Sequence, residues 1–224
     1  MIPKSAILFF SRTASSEENN KPFLGGSAIS SQKITNRIIV DSLVKIKKTG
    51  LPFYVFDDTN QHGESFGERL SNAVEDVFRH GHDRVIIVGN DCPQLRSKHI
   101  LSANKLLEQT PLVLGKDNHG GAYLIGISKD AFQKNIFTSL RWQTPFLFID
   151  LKNFSPNAIL PDLFFDVNNR RDITPLLQLL SVKSLLYRLF HAILSSSIYL
   201  RKNIEFTHAF GRHYFALRAP PASL

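Results

Sequence analysis

A strongly apolar run at 84–88 passes without a spacer into the polar segment Gly-Asn-Asp-Cys-Pro at 89–93. A run of this length, bounded by glycine and proline, is typical of a buried strand, and Pro93 fixes the turn that follows it. The strand would place the carboxylate of Asp91 at the carboxyl edge of a sheet, which is where open α/β proteins bind their ligands. The sequence therefore predicts an α/β protein with a ligand site around Asp91.

Apolar strands and amphipathic helices alternate on both sides of this segment. We predict strands at 6–12, 52–56, 84–88, 111–114, 122–127 and 163–167, and helices at 38–49, 66–80, 97–108, 144–152 and 172–180. Residues 13–31 are predicted to be a long loop, and a loop of that length in a compact domain is often functional. The alternation favours a mostly parallel, doubly wound sheet with helices on both faces.

The composition limits the class of protein. With 224 residues, of which 43% are hydrophobic, the chain can bury one substantial core. Cys92 is the only cysteine, so an internal disulfide is excluded and a reducing, cytoplasmic location is expected. We find no stretch that approaches the roughly 20 uninterrupted apolar residues needed to cross a bilayer.

The net charge of +8 is unevenly distributed. Residues 174–224 carry six Lys or Arg and one Glu, a net charge of +5, so the remainder of the chain is nearly balanced. The high pI therefore does not indicate a nucleic-acid partner. We predict a main domain at 1–180 and a basic, partly helical extension at 181–224. A helix at 182–200 would carry a broad apolar face, so we expect it to pack on its own domain, with peripheral contact to an anionic membrane as the alternative.

Four polar clusters follow predicted strands. Their candidate site residues are Gln61, Gly63 and Arg69; Asn90 and Asp91; His119, Gly120 and Gly121; and Asp166, Asn168 and Arg170. Carboxylate and amide oxygens suit Mg²⁺, paired glycines allow a backbone to approach a ligand closely, and arginines suit phosphate. Each cluster also has a purely structural explanation as a helix cap or a tight turn.

Taken together, the clusters resemble one family. The segments Q-x-G-x-x-F-G-E-R-L at 61–70, VIIVGNDCPQL at 85–95, LVLGKDNHGGAYLIGI at 112–127, Trp-Gln-Thr at 142–144 and DVNNRRDI at 166–173 are similar to GT-A-type glycosyltransferases of a family long without an assigned function. That family is distantly related to the molybdenum-cofactor and 2-phospholactate guanylyltransferases. The resemblance extends over roughly residues 5–175, and its specificity comes from the order and spacing of the motifs.

The resemblance implies a GT-A, or nucleotide-diphospho-sugar transferase, fold that is Rossmann-like. It implies that Asp91 holds a divalent metal, Mg²⁺ or Mn²⁺. Val-Asn-Asn-Arg at 167–170 also resembles a segment of N-acetylglucosamine-1-phosphate uridylyltransferases whose first Asn is a metal ligand, which makes Asn168 and the nearby Asp166 candidate ligands.

Two departures from the family pattern bear on activity. The usual first loop, with its Pro-Gly and Lys-Thr-Arg-Leu, is absent, and Arg12 and Lys21 are the candidates to replace its phosphate contacts. His119 stands where the family usually has the Asp of Asp-Gly-Gly. An imidazole there could act as an acid or base near neutral pH, or it could mark the loss of activity.

The leading hypothesis is a metal-dependent transferase that uses a nucleotide-sugar donor and an unidentified acceptor. Asp91 and His119 are the candidate catalytic residues, and Arg12, Lys21 and Arg170 the candidate phosphate contacts. Gln61 and Gly63 would help to seat the base or ribose. One alternative is nucleotidyl transfer from an NTP to a phosphorylated acceptor, and a second is a degenerate nucleotide-binding module without activity. We expect Trp142 and Cys92 to be packing residues.

Overall fold

The computed structural model describes residues 4–16, 28–167, 170–184, 186–192, 194 and 195. Its strands are β1 (Ser5–Phe10), β2 (Phe53–Phe56), β3 (Arg84–Val88), β4 (Leu112–Lys116), β5 (Ala122–Ser128) and β6 (Asn157–Ile159). Its helices are α1 (Ala28–Lys47), α2 (Phe66–Arg79), α3 (Ser97–Leu106), α4 (Lys134–Ser139), α5 (Leu147–Phe154) and α6 (Arg170–Leu179). The predicted alternation of strands and helices is confirmed.

The described strands form one six-stranded sheet in the order β2-β1-β3-β5-β4-β6. Strands β2, β1 and β3 are parallel, as are β4 and β6, while β5 runs antiparallel to both of its neighbours. Because β4 and β5 are joined by a short turn, they can pair only as a hairpin, which reverses β5. The sheet is therefore mostly parallel with one reversed strand.

Helices cover both faces of the sheet, as predicted. One face buries a core in which Leu8, Val74 and Phe137 join β1, α2 and α4. The other face buries Ile46, Ile86 and Ile100, which join α1, β3 and α3. Full burial of each such side chain is worth about 1.5–3 kcal/mol, so the two layers hold the strand ends in fixed positions.

Helix α2 begins as its sequence predicts. The hydroxyl of Ser65 accepts a hydrogen bond from the backbone amide of Glu68 at 3.1 Å, and the carboxylate of Glu68 accepts from the amide of Ser65 at 3.0 Å. This reciprocal pair is a capping box, which satisfies two amides that the first turn leaves without intrahelical partners. It fixes the start of α2 beneath the carboxyl edge of the sheet.

The prediction was wrong at three places along the described chain. The sixth strand is Asn157–Ile159, whereas within 163–167 only Phe164 pairs, through an isolated bridge to Asp117. Helix α4 was not predicted, and α1 already begins at Ala28, inside the segment predicted as a loop. The part of that loop at 17–27 lies outside the described residues.

The chain divides into two compact units, Met1–Leu179 and Leu180–Leu224. In the second unit the described residues 186–192 are helical, and Leu186 and Phe190 are buried. Among the described residues, none of the helices combines the length and apolar character needed to cross a membrane. The packing of the extension on the main domain stays a prediction.

Candidate functional site

A cleft of about 620 Å³ opens at the carboxyl edge of the sheet, a volume that suits a nucleotide-sized ligand. Eight of the predicted site residues are among those lining it: Arg12, Gln61, Arg69, Asn90, Asp91, His119, Gly121 and Asp166. Gly63 and Gly120 are not part of the lining. Lys21 and Asn168 lie outside the described residues, as does the side chain of Arg170.

The strand order arranges these groups along the cleft. Gln61 follows β2, Arg12 follows β1, and Asp91 follows β3, whereas Gly121 precedes the reversed β5 and Asp117 follows β4. Neighbouring strands are about 4.8 Å apart, so the ends of β1 and β4 are separated by about 14 Å. The arginine and the amide thus lie towards one end of the cleft, and Asp117 lies towards the other.

Asp91 and Asp166 are brought side by side by a backbone contact. The carbonyl oxygen of Asp91 accepts a hydrogen bond from the amide of Val167 at 2.9 Å, which lays residues 166–167 against the end of β3. The amide of Asp166 donates to the side-chain oxygen of Asn118 at 3.1 Å, which ties the same segment to the β4–β5 turn. Two predicted metal ligands that are distant in sequence therefore line one cleft.

Gln61 and Arg69 both line the cleft and both hold its backbone in place. The side-chain nitrogen of Gln61 donates to the carbonyl oxygens of Ser11 at 2.7 Å and Phe56 at 3.1 Å, so it joins the ends of β1 and β2. Nη1 of Arg69 donates to the carbonyl oxygen of Glu64 at 2.7 Å. The oxygen of the Gln61 amide has no partner within the described residues and is the atom left for a ligand.

Asp117 was missed by the sequence analysis although it closes the turn that presents His119. Its Oδ1 accepts hydrogen bonds from the amides of His119 and Gly121, each at 2.7 Å, and its side chain is buried in the wall of the cleft. A Cβ added at Gly121 would lie 2.4 Å from Oδ2 of Asp117, so the turn requires glycine there. The signal that could have found it is an Asp two residues before a turn, whose carboxylate commonly accepts from such amides.

His119 lies at the mouth of the cleft, with nearly half of its side chain exposed. Its Nε2 is 3.6 Å from Oδ1 of Asp172, on the first turn of α6, and 3.2 Å from the side-chain nitrogen of Asn118. Because the oxygen of that Asn118 amide accepts from Asp166, its nitrogen is the atom that faces His119. Nε2 therefore accepts a hydrogen bond from Asn118, and the imidazole remains accessible to a ligand.

The segment 142–145 forms another wall that sequence reasoning did not place in the site. The indole nitrogen of Trp142 donates to the carbonyl oxygen of Phe137 at 2.8 Å, and its ring packs against Phe66 and Phe137. The expected packing role of Trp142 is thus confirmed, and the same side chain also faces the cleft. Gln143, beside it, is exposed and has a positive φ of 60°.

Cys92 is buried beneath the turn that carries Asp91, as expected of a packing residue. Desolvation raises the pKa of its thiol far above the usual value, and the nearby carboxylate of Asp166 adds to this rise. A thiol in such surroundings remains protonated and is a poor nucleophile. Its place in the structure is explained by packing alone.

Comparison with known proteins places the fold. A family model described as an uncharacterized protein conserved in bacteria (DUF2064) matches residues 50–144, which include the motifs at 61–70, 85–95 and 112–127. No curated protein matches the sequence.

Among solved structures, one is a Desulfovibrio desulfuricans G20 protein provisionally described as a nucleotide-diphospho-sugar transferase. It superposes with a TM-score of 0.76 at 21% identity over 87% of this chain and 98% of that chain. Rv0371c of Mycobacterium tuberculosis H37Rv, in complex with manganese, gives 0.45 at 11% identity over 79% and 100% of the two chains. A cytidylyltransferase of Leptospira borgpetersenii serovar Hardjo-bovis (strain JB197) gives 0.45 at 13% identity over 87% and 95%. The first of these establishes the nucleotide-diphospho-sugar transferase fold for this chain.

Proposed function

We propose that the protein is a metal-dependent transferase that uses a nucleotide-sugar donor. The observation that carries the proposal is the arrangement along one cleft of an arginine after β1, a carboxylate after β3 and an exposed imidazole after β4. A nucleotide sugar is elongated and has its charge at the diphosphate near its middle, so it matches a cleft with this sequence of groups.

The diphosphate would be bound from the β1 side. Arg12 and Arg69 line the cleft there, and guanidinium groups pair with phosphate oxygens through charge-assisted hydrogen bonds. The amide oxygen of Gln61 would help to seat the base or ribose, whereas Gly63 lies outside the lining of the cleft. Lys21 and Arg170 are further candidate phosphate contacts.

Asp91 and Asp166 fit a Mg²⁺ or Mn²⁺ ion. Their backbones are joined through the amide of Val167, and both line the cleft. In the described part of the chain, no three His, Cys, Asp or Glu side chains converge on one point. Mg²⁺ in transferases is commonly held by one or two carboxylates together with substrate phosphates and water, so two carboxylates suffice, and Asn168 is a candidate for a third ligand. The ion would supply charge neutralisation for the departing diphosphate.

His119 would accept a proton from the attacking hydroxyl of the acceptor at Nε2, which would give up its hydrogen bond from Asn118. As the acceptor oxygen bonds to the anomeric carbon, the bond from that carbon to the diphosphate breaks, and the hydroxyl proton passes to the imidazole. The carboxylate of Asp172, 3.6 Å from Nε2, would stabilise the imidazolium that results. General base catalysis of this kind typically contributes about 10²–10⁴ in rate.

The test is a set of product assays with Mn²⁺ and with UDP-glucose, GDP-mannose and ADP-glucose as donors. We expect slow hydrolysis of at least one donor even without an acceptor. Release of pyrophosphate from an NTP, with the nucleotide sugars intact, would instead establish nucleotidyl transfer. Binding without turnover in both assays would indicate the degenerate module, and recovery of turnover by His119→Asp would then identify His119 as the cause.

A further inference from the structure

The backbone is strained at Gln143, where its segment meets the cleft. Among the residues that the structure describes, Gln143 alone has a positive φ without being glycine. This left-handed region is unfavourable for a residue with a Cβ, and such residues cluster where ligands bind. Glycine would avoid this cost, so the backbone conformation does not explain why glutamine is present.

The packing of the side chain does not explain it either. Gln143 is exposed, lines the cleft, and makes no side-chain hydrogen bond within the described residues. By contrast, the neighbouring Thr144 forms hydrogen bonds with both its hydroxyl and its carbonyl oxygen. The Thr144 hydroxyl donates to the carbonyl oxygen of Arg141 at 2.7 Å, and the amide of Leu147 donates to the carbonyl oxygen of Thr144 at 3.2 Å. A fixed backbone thus presents a side-chain amide whose donors and acceptor are unused.

The segment is also fastened to the turn that carries His119. The amide of Phe148 donates to the carbonyl oxygen of Gly120 at 2.9 Å. A Cβ at Gly120 would lie 2.2 Å from the carbonyl oxygen of Pro145, so the two backbones are in close contact. Gln143 and His119 are therefore held in one unit at the wall of the cleft.

We propose that the amide of Gln143 binds hydroxyl groups of the sugar carried by the donor and so determines which sugar is accepted. The sugar of the donor would lie beside His119, the proposed base at the anomeric carbon, and the segment of Gln143 is fastened to the turn that carries His119 on that side of the cleft. A neutral amide with two donor hydrogens and one acceptor oxygen complements a sugar on the same side. The inference rests on the proposed nucleotide-sugar donor, and it assigns the recognition of the donor's sugar to Gln143.

Two variants of the full-length chain test the assignment. Gln143→Gly removes the amide and relieves the left-handed strain, whereas Gln143→Glu keeps the length and shape but replaces the donor nitrogen with a charged oxygen. Gln109→Glu makes the same charge change at an exposed position at the opposite edge of the sheet and is the control. Calorimetry with UDP, GDP and ADP, and with UDP-glucose, GDP-mannose and ADP-glucose, compares each nucleotide with its sugar.

We expect both Gln143 variants to bind the nucleotide sugar about three- to tenfold more weakly than the parent, which is the loss of one or two hydrogen bonds. Binding of the matching diphosphate should be unchanged, as should both affinities of the control. Urea unfolding should find Gln143→Gly as stable as the parent, because relief of strain offsets the greater freedom of glycine in the unfolded chain.

An unchanged ratio of nucleotide-sugar to nucleotide affinity in both Gln143 variants would overturn the assignment, as would equal binding of the two ligands by the parent. Either result would leave the proposed nucleotide site in place. A parent that binds neither class of ligand would instead refute the proposed function and this inference with it.

Discussion

A substitution at Asp91 should change the proposed metal-dependent binding without changing the stability of the fold. Asp91 follows a buried strand and is itself only partly buried, so Asp91→Asn exchanges a charge for an amide of the same shape. We predict that Mn²⁺-dependent nucleotide binding falls at least about tenfold in calorimetry, since a carboxylate ligand is lost. The free energy of unfolding in urea should change by no more than about 1 kcal/mol.

The matched control for this change is Asp130→Asn, at an exposed position at the opposite edge of the sheet. It should leave both nucleotide binding and stability as they are in the parent. If Asp91→Asn binds nucleotide and Mn²⁺ as the control does, the metal site has been assigned to the wrong carboxylates.

Asp91 and Asp117 differ in how far the sequence reveals them. Asp91 lies in the short turn between an apolar strand and a proline, so local sequence is enough to place it at the edge of the sheet. The position of Asp117 depends on the turn folding back so that the amides of His119 and Gly121 reach its carboxylate. The positive φ of Gln143 likewise results from neighbours that fix its backbone, and nothing in the glutamine itself indicates it.

At the level of elements, the β4–β5 turn should be the least tolerant part of the site. Gly121→Ala places a Cβ 2.4 Å from Oδ2 of Asp117, and the carboxylate cannot move without loss of its hydrogen bonds to the turn. We predict a loss of about 1–3 kcal/mol in the free energy of unfolding, measured in urea. Gly89→Ala is the control, because its nearest neighbour would be 3.7 Å away and stability should hardly change. Equal free energies of unfolding for the two variants would show that the turn can accommodate the added Cβ.

The first turn of helix α3 carries a buried histidine, His99, whose titration should make stability depend on pH. Burial lowers the pKa of His99, whose Nδ1 accepts from the amide of Arg96 at 3.0 Å and whose ring packs on Phe164. Below the unfolded-state value of about 6.5, the unfolded chain binds a proton that folded His99 does not take up. The free energy of unfolding should therefore fall as the pH decreases from about 7 to about 5.

His99→Gln removes this titration and keeps a side chain that can accept a hydrogen bond. The variant should show a shallower decrease in stability between pH 7 and pH 5 when both proteins are unfolded in urea at each pH. Parallel curves for the variant and the parent would mean that other groups account for the dependence.

The error at 163–167 has a physical explanation at the same scale. The apolar residues at 163–165 include Phe164, whose ring packs against His99 and Tyr123. The segment is therefore apolar without pairing along its length as a strand. Periodicity and composition report burial, and they do not distinguish a buried ring from a paired strand. The actual strand, β6, has only three residues, two of them half-buried and one exposed, and therefore gives little apolar signal.

At the level of the whole molecule, the class of fold could be predicted from the sequence but the order of the strands could not. Alternating strands and helices indicate a doubly wound sheet, and a short polar turn between two strands indicates a hairpin. The insertion of β5 between β3 and β4 depends on contacts between strands that are distant in sequence. That order separates the cationic Arg12 from the anionic Asp117 along the cleft. The distribution of charge in the site therefore became known only from the structure.

The C-terminal extension remains to be assigned, and truncation after Leu180 is the experiment that addresses it. The extension carries more than half of the net charge of the chain, and Leu186 and Phe190 in its helical segment are buried. If the extension packs on the domain, its loss exposes apolar surface, so the truncated protein should unfold at lower urea concentration and aggregate.

If the extension instead binds an anionic membrane, the truncated protein should keep its stability and cease to sediment with phosphatidylglycerol vesicles. The full-length variant Lys183→Ala/Arg188→Ala separates the two cases, because both side chains are exposed. Packing on the domain predicts that this variant is as stable as the parent, whereas membrane binding predicts a marked loss of vesicle sedimentation. We expect the first result, since the buried leucine and phenylalanine require apolar partners and the exposed cations do not. An unchanged urea midpoint after truncation would refute it.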